Sequence, residues 1–146
     1  MLSLTDIVIR LFVAAVIGCS IGLNRFAHHR FIGVRTLGLV ALGAAGLVVA
    51  ALETGSGSDQ LAAVSRIIQG IVTGIGFLCA GTIIRAGDNV FGITTAATLW
   101  IVSGIGTAVG AGSYSAAVIV TVIVFIVMIM VRPLERKLSE KFKDLT

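Results

Sequence analysis

Charge is scarce in this 146-residue sequence: Asp, Glu, Lys and Arg together make up 12% of it, against roughly a quarter in an average soluble domain. So little charge cannot cover a water-facing surface, which excludes an ordinary soluble globule. Cysteine occurs twice, as Cys19 and Cys79, both inside apolar runs, so a disulfide framework is not expected. The two histidines, His28 and His29, are adjacent. Neighbours on a helix point different ways, which makes them a poor metal pair. Acids are few, and all seven (Asp6, Glu53, Asp59, Asp88, Glu135, Glu140, Asp144) fall at ends or in loops. No nucleophile, base and orienting group converge, so an enzyme is not expected. Proline appears once, at Pro133.

Apolar residues and glycine fill the space instead. The chain is 57% hydrophobic with 18 glycines, and its mean hydropathy is +1.08. Five stretches, about 5–23, 34–52, 64–84, 92–110 and 114–132, approach the roughly 20 apolar residues that cross a bilayer. The pattern predicts an all-α membrane protein, a bundle of five transmembrane helices over residues 1–132. Ser3 to Asp6 reads as a capping box opening the first helix, with Asp6 and Arg10 spaced to pair. The linkers are a basic segment at 24–33, an acidic turn-rich one at 53–60, a short link at 85–91 and a small uncharged turn at 111–115. Arg25, Arg30, Arg35, Arg85, Arg132, Arg136, Lys137, Lys141 and Lys143 fall on one side, and only Arg10 and Arg66 on the other. That asymmetry places the N-terminus outside and the C-terminus in the cytoplasm. The formal charge of +4 therefore marks topology, and no aromatic-interleaved basic patch suggests nucleic acid. Residues 133–146 read as a basic tail. Leu134, Leu138, Phe142 and Leu145 recur at helical spacing, which suits either an interfacial amphipathic helix starting at Pro133 or a solvated stop-transfer tail.

Short motifs are weak by comparison. Gly76 to Thr82 has the outline of a phosphate loop but lacks the lysine that reaches the phosphates. Gly74, Gly76 and Cys79 imitate a dinucleotide fingerprint without its third small residue. Val16 to Cys19 faintly resembles a lipoprotein cleavage site, without the basic start of a signal peptide. Packing explains the glycines better: Gly18/Gly22, Gly70/Gly74 and Gly106/Gly110 are small-xxx-small pairs, with Gly76 and Gly81 as further helix-packing positions.

In the third span, Arg66, Gln69, Gly70, Thr73, Gly74, Phe77 and Gly81 share one face, and a polar glycine-lined stripe should meet protein or water. Arg66 is either a snorkelling interface anchor or part of a buried network with Gln69. The fourth span opens with Thr94, Thr95 and Thr98 at a helix N-terminus, whose amides and dipole suit an anion. Trp100 lies deeper than an aromatic belt and is expected between helices. Arg35, Thr36, Arg66, Gln69, Thr73, Arg85, Asp88, Thr94, Thr95 and Thr98 form the candidate functional polar set, with Arg85 and Asp88 shaping the link after the third span. No cofactor is expected. Mg²⁺ binding through carbonyls, threonine hydroxyls or a subunit interface stays open, because Mg²⁺ usually takes one or two carboxylates and none lies within a span.

Longer blocks are more specific. "IGLNR" (Ile21–Arg25), "GVRTLGLVALGAA" (Gly33–Ala45), "SRIIQGIVTGIGFLCAG" (Ser65–Gly81) and "GITTAATLW" (Gly92–Trp100) resemble the MgtC/SapB family of bacterial inner-membrane proteins, from about Arg10 to Gly112. The resemblance implies a multi-pass plasma-membrane protein historically linked to Mg²⁺ transport, growth in low magnesium, acid stress and survival inside host cells. It also implies restraint of partner membrane proteins, the ATP synthase among them. Three departures stand out: Asn24 where the family usually has Glu, Cys79 where it usually has Gly, and no sign of the soluble C-terminal domain of many members. The expected function is non-enzymatic regulation, with a small transporter or channel for Mg²⁺ or another ion as the alternative. A homo-oligomer through the glycine faces is expected, a dimer by default.

Overall fold

A computed structural model describes the backbone of residues 2–27, 32–54 and 57–143, and the side chains of these up to Val131 apart from Ser58. Five helices run Leu4–Phe26 (α1), Val34–Thr54 (α2), Ser58–Thr82 (α3), Ile93–Gly110 (α4) and Tyr114–Lys143 (α5). All five contain a segment long and apolar enough to cross a membrane. Between α3 and α4 lies a small antiparallel hairpin, β1 (Ile84–Ala86) and β2 (Asn89–Phe91). The five expected helices form, and the short link expected at 85–91 is folded as this hairpin. Ile84 pairs with Phe91, Arg85 with Val90 and Ala86 with Asn89, leaving Gly87–Asp88 as a two-residue turn. Gly87 has φ +61°, the left-handed backbone such tight hairpins need.

The other bounds shift for physical reasons. Helix α3 starts at Ser58, earlier than its apolar run, and this puts Asp59 in its first turn, where the helix dipole favours an acid. Helix α5 continues past Pro133 to Lys143, so the backbone of the tail prolongs the fifth span rather than starting a new helix. The Ser3/Asp6 capping box forms, with Asp6 N donating to Ser3 Oγ at 3.1 Å and Ser3 N to Asp6 Oδ2 at 3.3 Å. Arg10 does not close the expected pair with Asp6. Its Nη1 crosses to Gly110 O at 2.6 Å, satisfying a carbonyl orphaned at the end of α4.

The core is built mainly from α1, α2 and α4, with Ile75 of α3 and Ala117 of α5 at its edge. Ala14 and Ile21 from α1, Leu37, Ala41 and Ala45 from α2, and Leu99, Val102, Ile105 and Val109 from α4 form one buried cluster. Small residues set the spacing. A Cβ on Gly18 would lie 2.5 Å from Leu37 O, and one on Gly22 would lie 2.6 Å from Val34 Cα. On α4, Gly106 rides against the backbone of Ala41, and a Cβ on Gly110 would meet Ala45 O at 2.7 Å. Lipid does not drive apolar helices together as water does, so such close backbone approach is what binds them. The remaining helices are peripheral: half of the apolar window of α4 is buried, against 6% for α3 and for α5.

Candidate functional site

At one end of the three-helix core, the last turn of α1 meets the first turns of α4. Arg25 closes α1 and is only 3% exposed. Its Nη1 donates to Thr98 Oγ1 at 2.7 Å and its Nη2 to Thr95 Oγ1 at 2.6 Å. Thr98, also 3% exposed, donates its own hydroxyl to Thr94 O at 2.7 Å. The guanidinium is therefore linked through one hydroxyl to the backbone at the start of α4. Hydrogen bonds to a charged group are worth about 1.5–3 kcal/mol each, so two of them tie the helices firmly.

The chain on either side of this junction is tightly constrained. Gly92 precedes α4 with φ +90° and no side-chain cap, and a Cβ there would collide with Thr82 O at the end of α3. Glycine is required, and the hairpin is pinched at its base. The Cys79 thiol donates to Ala96 O at 3.2 Å, a second link from α3 to the first turn of α4. The positive end of the α4 dipole and a buried guanidinium then share one small volume. Such a field favours anions and opposes the approach of a bare divalent cation.

Of the residues singled out from sequence, the structure gathers Thr94, Thr95 and Thr98 here. The others lie elsewhere. Arg35 and Thr36 are exposed in the first turn of α2. Arg85 and Asp88 are exposed in the hairpin, where Arg85 Nε donates to Gly87 O at 3.1 Å. On α3, Arg66, Gln69 and Thr73 all face outward. Gln69 reaches only Ser65 on its own helix, at 3.5 Å, and Thr73 bonds back to Gln69 O. The buried Arg66–Gln69 network is not formed among the described residues, because Ile71 and Ile75 occupy the inward side of α3. Gly70, Gly74, Gly76 and Gly81 face open space, unlike Gly18, Gly22, Gly106 and Gly110. Trp100 is 52% exposed and borders a cavity of about 290 Å³ between α3, α4 and α5, rather than filling a helix contact. His28, His29 and Arg30 lie outside the described residues.

Arg25 and Arg10 were the omissions. Sequence reasoning put Arg25 in a basic loop outside the lipid core. The available signal was that Asn24–Arg25 follows Gly22–Leu23 without a helix breaker, with Arg25 three positions after a glycine that lets α1 press on α2. Among the described residues, no group of three or more His, Cys, Asp or Glu is placed to hold a metal ion.

Comparison with known proteins agrees with these blocks. The model of the MgtC family matches residues 11–137. An uncharacterized protein of Synechocystis sp., slr0014, is 42% identical over 126 residues, which is 86% of this chain and 52% of that protein. Protein MgtC of Salmonella typhimurium is 38% identical over 133 residues, covering 91% of this chain and 55% of its own length. Protein MgtC of Brucella abortus is 44% identical over 126 residues, covering 86% and 51%. The chain thus spans about half the length of these curated relatives. No solved structure gives a significant match. With five membrane-length helices and a match over nearly its whole length, the chain belongs to the MgtC family.

Proposed function

We propose that this protein is a non-enzymatic regulator of the bacterial inner membrane, used in adaptation to low magnesium, acid stress or life inside host cells. It acts by lateral contact with partner membrane proteins, of which the ATP synthase is one, and with a second copy of itself as a dimer. Its N-terminus lies outside and its C-terminus in the cytoplasm. The observation that carries this reading is the outward face of α3, where Gln69, Thr73 and Gly76 stand exposed on a helix of membrane length. Polar side chains on a lipid-facing surface gain by hydrogen bonding to a neighbouring helix, and a small residue beside them admits close approach.

Transport of Mg²⁺ or another ion is the competing function. Against it weigh the buried guanidinium at the start of α4 and the position of the described acids at helix ends and in the hairpin turn. Reconstitution in liposomes with an internal Mg²⁺ dye separates the two. The regulator reading expects no flux above empty liposomes, with or without a membrane potential. It also expects Gln69→Leu with Thr73→Val to abolish support of growth in low magnesium at unchanged protein level. Flux that disappears on replacing Thr94 and Thr95 would reverse the assignment.

A further inference from the structure

Helices α2 and α3 do not close against each other along their outer edges. Between them runs a groove of about 520 Å³, floored by Gly43 from α2 and by Gly70 and Gly74 from α3. A Cβ at any of these three glycines would meet nothing within 4 Å. No described neighbour therefore requires them, although glycine in a helix interior costs about 0.5–1 kcal/mol relative to alanine. What their absent side chains leave is an open channel walled by apolar residues such as Leu47 and Leu78.

Arg66 borders this channel. It is exposed and makes no hydrogen bond to any described residue. It stands eight positions after Ser58, about 12 Å along α3 at 1.5 Å per residue. A helix of 25 residues exceeds a hydrocarbon core of about 30 Å by a few ångströms at each end. The Arg66 backbone is thus inside the apolar layer, where a guanidinium costs several kcal/mol unless its stem carries it to the headgroups. There the abundant acceptor is the lipid phosphate, which arginine can bind through two parallel N–H donors.

We propose that this groove holds one phospholipid, its phosphate on Arg66 and an acyl chain laid over Gly70, Gly74 and Gly43. The shape and the charge agree on this occupant. A second copy related by a twofold axis along the membrane normal would bring two Arg66 guanidinium groups toward each other, with no acid among the residues lining the groove to offset them.

The test is native mass spectrometry of the protein released from nanodiscs of phosphatidylglycerol and phosphatidylethanolamine. One retained lipid per chain is expected, with phosphatidylglycerol preferred. Arg66→Gln should lower the retained fraction about tenfold, as loss of a charge-assisted hydrogen bond implies. Gly74→Leu, which fills the channel, should remove retention altogether, and Ala80→Leu on the same helix outside the groove should leave it unchanged. Circular dichroism and elution volume establish folding, and Gly43→Leu from the opposite wall replaces Gly74→Leu if that variant does not fold. Equal lipid retention by all folded variants would overturn the proposal. So would a lipid-free mass of two chains that falls to one in the channel-filling variants, which would make a second copy the occupant.

Discussion

Gly106 and Gly110 on α4 have the same spacing as Gly70 and Gly74 on α3, but their surroundings are opposite. The α4 pair lies against the backbone of Ala41 and Ala45, while the α3 pair faces open space. The first pair holds the fold together. The second leaves its helix face open. A small-xxx-small spacing therefore specifies a helix face that permits close approach, without specifying the partner that uses it.

Substitutions can break this comparison. The largest effect is expected from valine at position 106. The added atoms would press into the Ala41 backbone, which cannot yield as a flexible side chain can, and overpacking typically costs about 1–3 kcal/mol or more. Gly70→Ala should instead be neutral or stabilising by up to about 1 kcal/mol. Reversible unfolding in mixed micelles measures both, and similar losses at the two sites would end the distinction between the helices. Next in size is Thr98→Val, which keeps the shape but removes an acceptor from a buried guanidinium. A loss of about 2 kcal/mol is expected, exceeding that of Thr94→Val, whose side chain is exposed. Equal losses in the same unfolding assay would show that Arg25 finds another acceptor. The smallest effect should come from Arg66→Ala. With no bond to a described residue, it should change stability in lipid-free detergent by less than about 0.5 kcal/mol. A drop of several kcal/mol would restore the buried network that the sequence suggested.

Much of the architecture is legible in the sequence because one physical signal governs it. A helix must be apolar for about 20 residues to cross a bilayer, and each of the five runs met that condition. The hairpin was missed because its strands are three residues long, too short for alternation to register. Its one usable sign was Gly87–Asp88, a two-residue turn pair between Ile84–Ala86 and Asn89–Phe91. The threonines at the start of α4 stood out because Thr94, Thr95 and Thr98 crowd the first turns of that span. Their partner did not, because Arg25 and Thr98 are 73 positions apart and no local pattern links them. For α3 the polar face was visible and its direction was not. Periodicity shows that Arg66, Gln69 and Thr73 share a side, but only packing shows that Ile71 and Ile75 take the inner one.

The reach of Arg25 also constrains how the protein is made. Chains are synthesised from the N-terminus at about 5–20 residues per second, so α1 is complete seconds before Thr98 exists. During that interval its terminal guanidinium has neither hydroxyl of α4 to receive it. The Arg25–Thr98 bond therefore joins the first span to one made much later, and it closes only once the fourth span is in place.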